Sequence, residues 1–219
     1  MKMQKTLIAA FVSLAFSSGA AMAANESKID QEGGYQDATV KQTGASTSKI
    51  EQDGYFNDSR IKQIGENYSL VEQDGTGNVA DVYQDGESTS KIWQDGVKNY
   101  AEVDQDGYGN VSKIDQDGDY NDAIVAQKGN DNWSDISQDG DGNYANVYQR
   151  GYSNESEITQ TGWSGNDAFV KQVGSHNESV ISQQSFFNGN TANVQQLSNG
   201  NYSSIVQYGS GNSSVVVQN

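Results

Sequence analysis

A repeat of about 22 residues runs through this chain and restricts its fold more than any other feature of the sequence. Each repeat has two halves that end at Gln, and Ile or Val stands two positions before all eighteen of these Gln residues. Ser or Ala stands four positions before each Gln, and Gly usually follows two positions after it. Because a strand shows one face at every second residue, each half predicts one strand followed by one turn.

The two halves of a repeat are not equivalent. Odd halves always carry Ser at the small position and mostly Ile at the apolar one, whereas even halves mostly carry Ala and Val. A fixed period of this length is typical of a solenoid, in which each unit buries its residues against neighbouring units. We therefore predict an all-β fold, a β-solenoid of nine strand-turn-strand repeats with eighteen strands in two facing parallel sheets, rising about 4.8 Å per coil.

Such stacking places each residue on its equivalent in the next coil. Buried Gln and Asn are then acceptable, because stacked carboxamides can satisfy each other along the axis. The predicted ladder residues of the self-assembly core are Gln31, Gln52, Gln73, Gln94, Gln116, Gln138, Gln160, Gln183 and Gln207, with Asn78, Asn99, Asn121, Asn143, Asn166, Asn190 and Asn212.

The first 23 residues predict a secretory signal peptide, with Lys2 and Lys5 before an apolar run and a small-residue cleavage site at 21–23. The apolar run is too short to span a bilayer, and no transmembrane segment is expected elsewhere. Residues 24–219 then form the exported solenoid. They contain no Cys and no Pro, so disulfides cannot stabilise them and every strand can complete its hydrogen bonds. The net charge of −16 disfavours nucleic acid as a partner.

Five acidic residues follow Gln in consecutive odd halves, and stacking would align them in one column. They are Asp53, Asp74, Asp95, Asp117 and Asp139. Like charges one coil apart repel by about 1 kcal/mol in water. We interpret these residues as gatekeepers, whose repulsion slows premature stacking and is relieved by mild acid. Calcium binding by acidic turns such as 139–143 is the alternative interpretation.

Both ends of the predicted solenoid lack polar caps. Residues 25–160 carry 27 acids and 10 bases, whereas 161–219 carry only Asp167, Glu178 and Lys171. An uncapped strand edge with little charge is a template for another chain. The predicted docking edges are the strands around Ile29 at one end and around Val216 and Gln218 at the other.

Catalytic chemistry finds little support in the sequence. His176 is the only histidine and lies in a predicted turn, without a partner set for nucleophilic catalysis or metal binding. The acids recur with the repeat, and the insertion around Phe186 and Phe187 is the one candidate break in it. We expect no enzyme activity, no cofactor and no metal site.

The repeat resembles the curlin repeat of curli fibre subunits. The pattern is carried by segments such as Asn78-Val79-Ala80-Asp81-Val82-Tyr83-Gln84 and by residues 143–149, and it covers essentially all of residues 24–219. The resemblance implies an extracellular functional amyloid on the Gram-negative cell surface, serving as biofilm matrix and adhesive fibre. It also implies a nucleator subunit, an outer-membrane secretion pore and periplasmic chaperones as partners.

The sequence therefore predicts a structural subunit of a curli-like fibre that assembles by end-to-end stacking of solenoid edges. Major and nucleator subunits share the repeat, so both roles remain open. A soluble calcium- or glycan-binding β-solenoid is the alternative from another class. An ice-binding solenoid is disfavoured because its outward threonines, such as Thr39 and Thr89, are scattered.

Overall fold

The computed structural model describes residues 24–219, so the predicted signal peptide at 1–23 lies outside the described residues. The predicted all-β solenoid is confirmed: the described part of the chain forms strands and turns in about nine coils. No helix in this part of the chain has the length and apolarity needed to cross a membrane.

The strands follow one another at nearly constant spacing. Their bounds are β1 (Glu26–Gly34), β2 (Asp37–Gly44), β3 (Thr47–Tyr55), β4 (Asp58–Gly65), β5 (Tyr68–Thr76), β6 (Val79–Val97), β7 (Tyr100–Asp119), β8 (Asp122–Asn130), β9 (Trp133–Gly140), β10 (Tyr144–Tyr152), β11 (Glu155–Gly162), β12 (Asp167–Ser175), β13 (Glu178–Ser185), β14 (Thr191–Gln196), β15 (Tyr202–Tyr208) and β16 (Ser213–Gln218).

Within each stack, neighbouring strands one coil apart pair in parallel, and equivalent residues face each other. Between β1 and β3, for example, Ile29 pairs with Ile50 and Gln31 with Gln52. The odd halves form one stack, from β1 through β3 and β5 to β15, and the even halves form a second stack, from β2 and β4 to β16. We call these the odd stack and the even stack.

The described residues form sixteen strands, where the sequence predicted eighteen. The difference lies in β6 and β7, which each continue through two half-repeats. Their turns stay paired, with Asp85 opposite Asp106 and Gly86 opposite Gly107, and the register shifts by one residue only after Glu87, so pairing does not stop at the corner. This continuity joins the two predicted facing sheets into a single sixteen-stranded sheet.

The core is a column of small and branched apolar side chains between the two stacks. Interior residues such as Ile50, Ile114 and Val147 are completely buried, and full burial of such a side chain contributes about 1.5–3 kcal/mol. Ile29 and Val216, in the first and last coils, are only partly buried. A coil therefore completes its core only when it has a neighbour on both sides.

The glycine two residues after most ladder Gln residues is required by the close approach of successive coils. Gly75 has a φ of 109°, a conformation that other residues rarely adopt. A Cβ atom on Gly75 would overlap the backbone carbonyl of Gly96 in the next coil. The repeated Gly of the sequence thus serves both the turn and the 4.8 Å stacking distance, which is about the spacing of paired strands.

Candidate assembly surfaces

The glutamine side chains form two unbroken hydrogen-bonded ladders, one in each stack. In every case Nε2 donates to Oε1 of the Gln one coil later, over 2.7–3.0 Å. The odd ladder joins the nine predicted residues from Gln31 to Gln207, and the even ladder runs from Gln42 to Gln218. All bonds point the same way along the axis.

From Gln42 onward, each ladder Gln also ties one stack to the other. Gln160 donates through Nε2 to Gln183 and also to the backbone carbonyl of Tyr144, which lies at the beginning of the facing strand (2.8 Å). Its own Oε1 accepts from Gln138 at 2.9 Å. Both donors and the acceptor are therefore satisfied inside the core, which removes the usual cost of burying a carboxamide.

The asparagine column differs from the amide-on-amide stacking that we predicted. Asn Oδ1 accepts the backbone N–H of the equivalent residue one coil later, as when Asn99 donates to Asn78 at 2.9 Å. Asn99 Nδ2 donates instead to the turn carbonyls of Asp95 and Gly118. Asn is one methylene shorter than Gln, so its amide reaches the adjacent backbone and fixes the turn.

Direct Asn-to-Asn bonds do occur in the second half of the chain. Asn143 Nδ2 donates to Asn121 Oδ1 at 3.1 Å, and the same contact recurs at Asn166, Asn190 and Asn212. The predicted asparagines from Asn78 to Asn190 are buried, whereas Asn212 in the last coil is exposed.

Within residues 24–219, the first and last strands of each stack have a partner on one side only. β1 pairs with β3 and β2 with β4, while β15 pairs with β13 and β16 with β14. The predicted docking residues Ile29, Val216 and Gln218 all lie on these end strands and are partly accessible. In the last coil, Gln207 Nε2 keeps the cross-stack bond to Thr191 O and makes its second bond to Ser214 Oγ, since no further Gln lies beyond it in the described residues.

The five predicted gatekeepers lie in one exposed column, directly above one another. The register pairs Asp53 with Asp74, Asp74 with Asp95, Asp95 with Asp117 and Asp117 with Asp139. Partial burial raises the pKa of Asp95 above its ordinary value, and the charges of Asp74 and Asp117 raise it further.

The column borders an open cleft of about 370 Å³ that Trp93 also lines. Among residues 24–219, no three His, Cys, Asp or Glu side chains come together in a way that could hold a metal ion.

Lysines on the outer side of the odd stack offset part of the acidic charge. Lys49 lies 2.8 Å from Glu51, and Lys113 lies 3.6 Å from Asp135 in the next coil. The hydrogen bond between Lys49 and Glu51 raises the pKa of Lys49 and lowers that of Glu51. These exposed pairs contribute little stability individually.

Sequence reasoning missed two features. The hydroxyl groups of eight of the nine odd-half serines are buried without a hydrogen-bond partner in the described residues: Ser27, Ser69, Ser90, Ser112, Ser134, Ser156, Ser179 and Ser203. Aromatic rings also stack along the turns, with Tyr35 and Phe56 parallel at 5.0 Å. The sequence signal for the second feature was an aromatic residue at the same turn position in adjacent odd halves. His176 lies in a turn, edge-on to Tyr152.

Comparison with known protein families supports the curlin resemblance. A family model described as the curlin associated repeat matches residues 112–140 and 140–163, two adjacent stretches in the middle of the solenoid. A search of curated proteins finds no match. The matched residues extend from the second half of β7 to the turn after β11, so they include both halves of the repeat.

Proposed function

We propose that this chain, which carries curlin associated repeats, is a structural subunit of an extracellular amyloid fibre similar to curli. One observation carries the proposal: the ladders of Gln, Asn and apolar residues run through all nine coils and end at strands paired on one side only. A second copy can continue both ladders with the same contacts that join neighbouring coils inside one chain.

Growth then adds the first coil of one copy to the last coil of another. β1 of the incoming copy pairs with β15, and β2 pairs with β16, in the parallel register found inside the chain. This contact joins two different surfaces, so repeating it produces an open fibre instead of a closed ring. It also completes the burial of Ile29 and Val216, which are partly accessible at the free ends.

The Asp column supplies the control of this growth in our proposal. Asp53, Asp74, Asp95, Asp117 and Asp139 bring like charges within one coil of each other when the solenoid forms. Their repulsion slows stacking in the cell, and protonation of Asp95, whose pKa is raised, weakens it as the local pH falls.

The proposed export route, location and partners of the chain are inferred from its resemblance to the curlin family. We propose export by a signal peptide at 1–23, passage through an outer-membrane pore with periplasmic chaperones, and seeding by a nucleator. The fibre would lie on the Gram-negative cell surface and serve in biofilm matrix and adhesion.

Seeded and unseeded assembly of the purified chain tests the proposal. We expect thioflavin-T fluorescence to rise after a lag, fibres in electron microscopy, and loss of the lag when fragmented fibres are added. A folded monomer that stays soluble under all these conditions would contradict the proposal.

A matched pair of variants tests the docking edge itself. Val216→Asp places a charge on the inward side of β16, whereas Val215→Asp places it on the outward side of the same strand. We expect the first variant to lose elongation from wild-type seeds and the second to keep it. Equal elongation by both variants would argue against growth at this strand.

A further inference from the structure

The turns that follow the odd-half strands lie above one another along one side of the solenoid. We call this side the odd turn edge; it consists of residues 32–35, 53–56, 74–77, 95–98, 117–120, 139–142, 161–165, 184–189 and 208–211. Exposed aromatic rings occur at both of its ends, whereas acidic residues dominate its middle. Tyr35, Tyr55 and Phe56 lie at the first end, and Trp163, Phe186, Phe187 and Tyr208 at the last.

At two places on this edge, a glycine in one coil is covered by a side chain from the next coil. A Cβ atom on Gly34 would lie 3.3 Å from the ring of Tyr55. In the same way, a Cβ atom on Gly77 would lie 3.4 Å from Cγ of Lys98. Glycine at these positions therefore leaves the space that the side chain of the following coil occupies.

The last turn of the edge contains the same kind of glycine without a cover. Gly211 has a φ of 71°, and nothing lies within 4 Å of a Cβ atom placed on it. The same turn carries an exposed aromatic ring, since Tyr208 contacts Phe186 of the previous coil edge-to-face at 5.5 Å. Tyr208 remains 71% exposed in spite of this contact.

The first turn contains a ring that is covered on one side only. Tyr35 occupies the turn position that corresponds to Gly211, with a φ of 58° that is unfavourable for a bulky residue. Its ring stacks on Phe56 in the next coil, at an interplanar angle of 6°, and is 77% exposed. Its other face points away from the chain's own coils.

We propose that Tyr35 of a second copy covers Gly211 and so closes the junction between two subunits. This inference rests on the proposed end-to-end assembly and adds the contact that selects the partner coil. When the coil register continues across the junction, Tyr35 lies one coil beyond Gly211, as Lys98 lies one coil beyond Gly77. Its ring then packs near Tyr208 of the first copy and on its own Phe56.

Two variants test the contact from its two sides. Tyr35→Asn removes the ring, and Asn tolerates the positive φ. Gly211→Asn fills the uncovered space with a residue that also tolerates it. We expect each variant to slow elongation from wild-type seeds about three- to tenfold, as expected when an aromatic contact is lost. Because both remove the same contact, the double variant is expected to be no slower than the more affected single variant.

Each variant has a control at an equivalent backbone position. Tyr120→Asn changes an exposed aromatic residue at the same turn position in an interior coil, with a φ of 59°. Gly200→Asn changes a glycine on the opposite turn edge with a φ of 70° and equally open surroundings. Both controls are expected to elongate at the wild-type rate.

The outcomes separate this inference from the proposed function. If the wild-type chain forms fibres and Tyr35→Asn elongates at the wild-type rate, the junction contact is wrong but end-to-end assembly still holds. Fully additive effects in the double variant would lead to the same conclusion. Failure of the wild-type chain to form fibres would overturn end-to-end assembly itself. Circular dichroism of each variant before seeding shows whether the strands still form.

Discussion

The core of this protein depends on the buried carboxamide groups of its glutamine residues. Gln160 shows why: its Oε1 accepts one hydrogen bond, and its Nε2 donates one along the stack and one across it. A side chain without these groups would leave Gln138, Gln183 and the carbonyl of Tyr144 unpaired inside the core. The polar ladder is thus as essential as the apolar column next to it.

Replacing Gln160 by Leu measures this dependence. Each buried group left unpaired costs about 1–3 kcal/mol, so we expect the variant to lose roughly 3 kcal/mol or more of stability. The measurement is the urea midpoint of the strand signal in circular dichroism. Thr159→Ala, an outward change on the same strand, is the control and should stay within about 0.5 kcal/mol. Similar midpoints for the two variants would contradict the role given to the ladder.

Some residue roles were readable from the sequence and others were not. The constant positions revealed which residues face the core, because stacking demands the same side chain in every coil. They did not reveal that Asn99 bonds to backbone where Gln105 bonds to another side chain. That difference depends on one methylene of length, which a repeat pattern does not encode. The unpaired hydroxyl of Ser112 was equally invisible, since the pattern reports only a small residue.

At the scale of the element, the Asp column is a row of charges held in place by strand register. Asp95 has neighbours of the same charge in both adjacent coils, and its pKa is raised. An acid with a raised pKa in the folded state takes up its proton there first. The penalty of the ionised form is therefore present at neutral pH, decreases as the pH falls through the raised pKa, and is absent below the ordinary value of 3.8.

We therefore expect assembly to accelerate as the pH is lowered from 7 towards the raised pKa of Asp95, and Asp95→Asn to assemble faster at pH 7 with a flatter pH profile. The rate is measured as unseeded thioflavin-T growth. Asp104→Asn is the control, because Asp104 lies 3.9 Å from Lys128 and has no place in the column. The measurements stay above pH 4.5, because Glu51, whose pKa is lowered, remains charged there and keeps its ion pair with Lys49. Protonation of Glu51 would weaken this pair and so oppose the effect of protonating Asp95. A rate that falls in mild acid would contradict the gatekeeper role.

Strand continuity could be predicted less well than strand position. The sequence located all eighteen strand segments, but it placed a break at every turn. Residues 85–87 of β6 pair with residues 106–108 of β7, so the backbone hydrogen bonds between the two strands continue around the corner. Whether a turn stays paired depends on the matching conformation of its neighbour, which one turn sequence does not specify.

For the whole molecule, the relevant unit is the complete coil. Each coil contacts only its neighbours, so a whole coil can be removed if the coils on either side remain compatible. Residues 110–131 form one such unit, since Asn132 would then follow Gly109 as Asn110 does. The remaining odd halves stay in the odd stack and the remaining even halves in the even stack.

Deletion of residues 110–131 should therefore preserve the strand content per residue, the seeded growth and a thermal midpoint close to that of the intact chain. Deletion of 110–120 removes half a coil, so the two halves after the deletion stack on halves of the other kind and bring Ser and Ile against Ala and Val in that layer. We expect this second variant to unfold at a clearly lower temperature, because the stacked side chains no longer match in volume. Equal midpoints for the two deletions would show that odd and even halves are interchangeable.

The common direction of the glutamine bonds gives the molecule an electrical property. Backbone dipoles in a sheet largely cancel, whereas the stacked carboxamides all turn their N–H groups toward the last coil. An amide group carries a dipole of about 3.5 D, and dipoles aligned along one axis add. The permanent moment of a filament built from these subunits would increase in proportion to its length. Pulsed fields would then orient long filaments along their axes, and reversing the field would rotate them end over end, which transient electric birefringence detects.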